Sequence, residues 1–144
     1  MDYIINLLTI YIAGFLELWL AVPLGFILKL PPSITAIFSA LGSVSSAVLV
    51  ALAGDKLRNR YLRWRYGSDE RIKENRIYRV WNRYGVVGLG LLSPLLFGAP
   101  VGTALGILVG ADRNKLLSWM TIGIIIWSAG LTIAIFLGIL TINL

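Results

Sequence analysis

Polar and apolar positions divide the chain into four long apolar blocks, at about 3–28, 33–53, 84–111 and 116–142, with a charged connector at 54–83. Each block exceeds the ~18 residues that mark a membrane segment. The pattern predicts an all-α integral membrane protein, folded as a single membrane domain over residues 1–144. Block 116–142 holds neither proline nor charge and is long enough for a tilted spanning helix. Block 33–53 follows Pro31-Pro32, with Ser33 as a helix N-cap. Its residues Ser39, Gly42, Ser43 and Ser46 recur at i, i+3, i+4 and i+7, a small hydroxyl-bearing stripe that faces a helix or a wet cavity rather than lipid.

The other two blocks are interrupted. Block 84–111 contains Pro94, Pro100 and seven glycines, of which Gly98, Gly102, Gly106 and Gly110 recur every fourth residue. That stripe bares one helical face to another backbone, and "FGAP" at 97–100 is a break near the middle. Block 3–28 carries Glu17 and Pro23 in comparable places, followed by Gly25. Folded as a hairpin, such a block gives two arms of about 20 Å, which reach past the centre of a ~30 Å hydrocarbon core and return. Both readings, spanning and re-entrant, fit the lengths. With both broken blocks re-entrant, twelve of the thirteen basic residues fall on the side of the 54–83 connector, which the positive-inside rule makes cytoplasmic.

Sliding the chain on itself by 81 residues lays "LGFILKLPPSITAIFSALG" (24–42) over "LGILVGADRNKLLSWMTIG" (105–123). Each half then reads as a broken block, a polar break and a spanning helix: repeat 1 at about 3–53, repeat 2 at about 84–142. With re-entrant hairpins the halves run in opposite senses across the membrane, an inverted-topology repeat of the kind found in secondary transporters. The same offset sets Glu17 over Gly98.

Composition agrees, at 58% hydrophobic and 14% charged residues. The chain has no cysteine and no histidine, which removes disulfides and thiolate or imidazole ligands and nucleophiles. The expectation is a non-enzyme with no cofactor and no metal. Met1-Asp2 lacks the basic start of a signal peptide. The connector holds ten of the thirteen Lys/Arg residues interleaved with aromatics. Ser68-Asp69-Glu70 starts a helix there, and Ile77, Val80, Trp81 and Tyr84 form one apolar face, so the segment reads as an interfacial helix on anionic lipid and not as a nucleic-acid site.

Two stretches carry a family resemblance. Glu17-Leu-Trp-Leu-Ala-Val-Pro23-Leu-Gly25 is similar to the glutamate-led opening of the small multidrug export protein family. Arg83-Tyr84-Gly85, Pro94 and the glycines Gly98 to Gly110 are similar to its second half. That family resembles the wider DedA group of membrane proteins, with its SNARE-associated (VTT) domain. The resemblance covers about 14–138 and implies two re-entrant hairpins facing each other from opposite leaflets of the inner membrane. It also implies a proton-dependent transport role, lipid flipping included. The chain departs from the pattern at Trp19, where arginine is usual, and at 91–97, which read Leu-Leu-Ser-Pro-Leu-Leu-Phe without the arginines of DedA proteins.

Glu17 is the leading candidate for chemistry. A charged carboxylate at bilayer depth costs about 2.5–3.5 kcal/mol on insertion scales. A carboxyl that changes protonation as access alternates is what proton coupling needs, and it would also attract a cationic substrate. The structural alternative is a glutamate that satisfies loose backbone at a hairpin tip. Pro94, Gly98, Pro100 and Gly102 build the opposing tip, and Ser93 and Thr103 are pathway candidates with Ser39 and Ser43. The reading is a small transporter or lipid flippase acting on a small-molecule or lipid substrate among membrane lipids, as a homodimer. The alternative is a non-transporting scaffold in which Glu17 is structural.

Overall fold

The computed structural model describes residues 2–65 and 84–142. Among these there are six helices and no strand: α1 Asp2–Leu16, α2 Leu18–Ile27, α3 Pro32–Arg65, α4 Val86–Leu96, α5 Ala99–Leu108 and α6 Arg113–Ile142. Two are long and apolar enough to cross a membrane, over Pro32–Gly54 (23 residues) and Arg113–Thr141 (29 residues). The protein is a helical membrane protein. The interfacial helix expected from Ser68 to Trp81 lies outside the described residues.

The breaks explain the four short helices. Between α1 and α2 a single residue, Glu17, leaves the helix with φ −156° and ψ 126°. Between α4 and α5 the chain turns at Phe97 and at Gly98, whose φ of 79° and ψ of 161° suit glycine alone. Pro100 then sits in the first turn of α5, where its missing N–H costs nothing. Pro23 and Pro94 lie inside α2 and α4 and break neither.

The exits of α2 and α5 close in the same way. Lys29 takes φ 56°, and the Leu30 N–H bonds to the Gly25 carbonyl at 3.0 Å. Gly110 takes φ 88°, and the Ala111 N–H bonds to the Gly106 carbonyl at 2.9 Å. Both are left-handed helix caps with the 6→1 bond of the Schellman motif. The next helix follows at Pro32 and at Arg113.

Two boundaries differ from the sequence reading. The Thr35 N–H bonds to the Pro31 carbonyl at 3.0 Å, so α3 starts at Pro32 and Ser33 lies in its first turn rather than capping it. Proline at the first helical position is preorganised for this. At its other end α3 continues past residue 53 to Arg65. No proline or cap interrupts 54–65, and leucine, lysine and arginine are good helix formers, so the helix outlasts its apolar stretch.

The long helices α3 and α6 run antiparallel. Ser128 bonds to Ala36 near the start of α3, whereas Ala47 and Ala51 share a buried cluster with Leu116 and Met120 near the start of α6. That cluster also takes in Val86, Ala99 and Ile107 from α4 and α5. A second cluster joins Leu7, Ile10 and Ala13 of α1 to Ala21 and Leu24 of α2, to Leu28 at its C-cap and to Phe38 of α3.

Candidate functional site

The two breaks meet. A methyl group placed on Gly98 would lie 3.8 Å from Oε1 of Glu17 and 3.9 Å from its Cγ. Glu17 is half-buried and Gly98 buried. The Glu17 side chain makes no capping hydrogen bond to α2. It has no ion pair or hydrogen bond with any described residue. A second link crosses the same junction: the indole N–H of Trp19, in the first turn of α2, donates to the carbonyl of Leu95 at the end of α4. That carbonyl is one of the terminal acceptors that a helix leaves without an internal partner. Trp19 (48% exposed) and Phe97 (54% exposed) stand on the outer side of the junction.

The remaining candidates divide between this junction and ordinary packing. Pro100 is half-buried beside Gly98. Ser93 is buried and donates to the Met120 sulfur at 3.3 Å, and it occupies the space that a side chain on Gly102 would fill. Thr103 turns its hydroxyl back onto the Ala99 carbonyl at 2.7 Å. Pro94 is buried within α4, whereas Pro23 is exposed on α2 and away from the break. Gly25 is buried where the Thr35 side chain fills the gap beside it.

The α3 stripe faces a helix. Ser43 donates to the Gly14 carbonyl of α1 at 2.6 Å, Ser39 donates to the Thr35 carbonyl, and Gly42 lies under the α1 backbone at Tyr11 and Phe15. The α5 glycines behave differently from the sequence expectation of a bare face against another backbone. Gly102 receives the Ser93 side chain of α4, the other arm of its own hairpin, and Gly106 receives the Leu116 side chain of α6. Backbone-to-backbone approach falls instead at Gly14 and Gly42 between α1 and α3, and at Gly90 and Gly123 between α4 and α6.

Two hydroxyls escaped the sequence reading. Thr35 Oγ1 and Thr132 Oγ1 are buried without a hydrogen-bond partner. Thr35 falls on the same face as Ser39, one turn earlier, and extending the stripe by that turn would have found it. Trp19 stands within the glutamate-led motif, but no sequence signal marks its bond to Leu95. Among the described residues no three acidic side chains gather as a metal site would require.

No curated protein and no solved structure matches the chain. The family model described as "Putative small multi-drug export protein" matches residues 17–129, from the glutamate of the first break to α6. The match takes in both breaks and most of the chain, and the protein therefore belongs to this small multi-drug export protein family.

Proposed function

We propose that the chain is a small proton-coupled membrane transporter. In this reading α1/α2 and α4/α5 are re-entrant hairpins that enter from opposite faces, and Glu17 is the coupling carboxylate where their tips meet. The observation that carries it is the approach of Glu17 to Gly98, two helix breaks in one place. Helix lengths support re-entrance. The 15, 10, 11 and 10 residues of α1, α2, α4 and α5 give about 15–22 Å each, short of a ~30 Å core.

An inverted-topology repeat is supported by register. The bounds of α2 and α5, the left-handed residues Lys29 and Gly110, and the starts of α3 and α6 all lie 81 positions apart. The antiparallel course of α3 and α6 is what such a repeat requires. The basic connector then lies in the cytoplasm and the chain in the inner membrane. Two spans enclose a pathway poorly, so the working unit is a homodimer. Among the described residues no cation stands at the tips, which leaves a lipid phosphate without a partner and disfavours flipping of such lipids.

The test is purified protein in liposomes under an imposed pH gradient, with an entrapped dye reporting proton movement against a substrate panel. Substrate-dependent proton movement that Glu17→Gln abolishes is the expected result. An unchanged response in that variant would remove Glu17 from the coupling role. Loss of folding in Glu17→Gln would instead favour the scaffold reading, with the glutamate as a structural plug. Single cysteines at Asp2 and Lys115 should label from outside and inside respectively. Labelling of the Lys115 position from outside would overturn the inverted repeat.

A further inference from the structure

We propose that the junction binds a monovalent hydrophobic organic cation, with its positive charge against Glu17 and its apolar body in a groove along α4. This rests on the transport reading above and names the substrate class of the same site.

Charge comes first. Glu17 is a half-buried carboxylate without an ion-pair partner among the described residues. The nearest basic residue along its own hairpin, Lys29, lies past the other end of α2, about 15 Å of helix away. Arg113 and Lys115 start α6, beyond the far end of α5. An anion entering the junction would meet an uncompensated negative charge in a low-dielectric setting, where like-charge contact is strongly unfavourable. A single carboxylate balances a single positive charge, which selects monovalent over divalent cations.

Shape and surface come second. Two half-exposed aromatic residues belong to the two breaks, Trp19 two positions after Glu17 and Phe97 next to Gly98. The Trp19 ring is held in place by its bond to Leu95. Such rings attract cations that have shed their water. From Phe97 a cavity of about 200 Å³ follows α4 past Leu96 and Leu92 to Gly88 and Gly85. A methyl group on Gly88 would meet none of the described residues within 4 Å, so among them the floor of this groove is open. Its one hydroxyl, on Ser93, is already committed to Met120. The groove therefore offers an apolar body shelter and offers a polar one nothing.

The experiment is calorimetric binding to the full chain in nanodiscs of uncharged lipid. The probe is benzyltrimethylammonium, and benzenesulfonate is the control of similar size and opposite charge. Saturable binding of the cation alone is expected, reduced at least ~tenfold by Glu17→Gln. Gly88→Leu, which fills the groove from an open position, should weaken binding without touching the carboxylate. It keeps the proposal testable if Glu17→Gln fails to fold. Equal binding by either variant, or by benzenesulfonate, overturns the site. Glu17-dependent binding with no proton exchange in liposomes would keep the site and remove transport. Glu17-dependent proton exchange with a neutral or anionic substrate, and no binding of the cation, would do the reverse.

Discussion

Gly98 presents bare backbone to the Glu17 carboxylate, with room for a methyl group 3.8 Å from Oε1. That separation is ordinary van der Waals contact, so space alone would admit an alanine. Backbone conformation would not: φ 79° with ψ 161° is a region that side chains essentially exclude. Gly98→Ala is therefore expected to destabilise the protein by about 1–3 kcal/mol through strain. A lowered melting temperature in detergent would show it. Gly130→Ala is the control, since Gly130 is helical with nothing within 4 Å. There alanine should be neutral or stabilise by up to about 1 kcal/mol.

A second prediction concerns the crossing of α4 and α6. Pro94 has no N–H, so the Gly90 carbonyl one turn earlier loses its helical partner. Gly123 lets α6 pass directly over that carbonyl and over the Leu91 backbone. Gly123→Ala would push a methyl group into main chain that cannot rotate away. Destabilisation of about 1–3 kcal/mol is expected. Melting would report it, and a Gly123→Ala protein as stable as the parent would contradict the crossing.

Much of this arrangement was legible in the sequence. The two unbroken apolar blocks carry the two spans, and FGAP marks the turn at Gly98, because glycine and proline act locally, whereas length alone left all four blocks able to span. The 81-residue offset sets Glu17 over Gly98, and the two are neighbours in the fold. Local rules could not resolve the first break. Pro23 is the stronger breaker, yet the chain leaves the helix at Glu17 and carries Pro23 inside α2. Pro23, the sixth residue of α2, removes one helical hydrogen bond without ending the helix, and no local rule says which of the two positions breaks. The α5 glycines misled for a related reason. Spacing marks a bare face but cannot say whether backbone or a side chain fills it, and Leu116 and Ser93 did.

The two left-handed caps make a matched pair with unequal residues. Gly110 adopts φ 88° freely, whereas Lys29 adopts φ 56° against the clash of its Cβ. Gly110→Ala should then cost about 1–2 kcal/mol. Lys29→Gly should raise the melting temperature modestly, because relief of the clash exceeds the added freedom of the unfolded chain. Opposite shifts of the two variants are the expected outcome in parallel melts. A loss in Lys29→Gly would mean that the lysine head group contributes more than its backbone costs.

Trp19 separates stability from binding. Its indole N–H satisfies the Leu95 carbonyl at the end of α4, and lipid offers no replacement donor. Trp19→Phe removes the donor and leaves a ring. The protein should lose about 1–3 kcal/mol, the cost of an acceptor left unpaired. Binding of benzyltrimethylammonium to the folded fraction should persist, because an aromatic ring is kept two positions from Glu17. Trp19→Ala removes both donor and ring, so melting and binding should fall together. If Trp19→Phe instead abolishes binding while leaving the melting temperature unchanged, the indole N–H serves the ligand and not the end of α4.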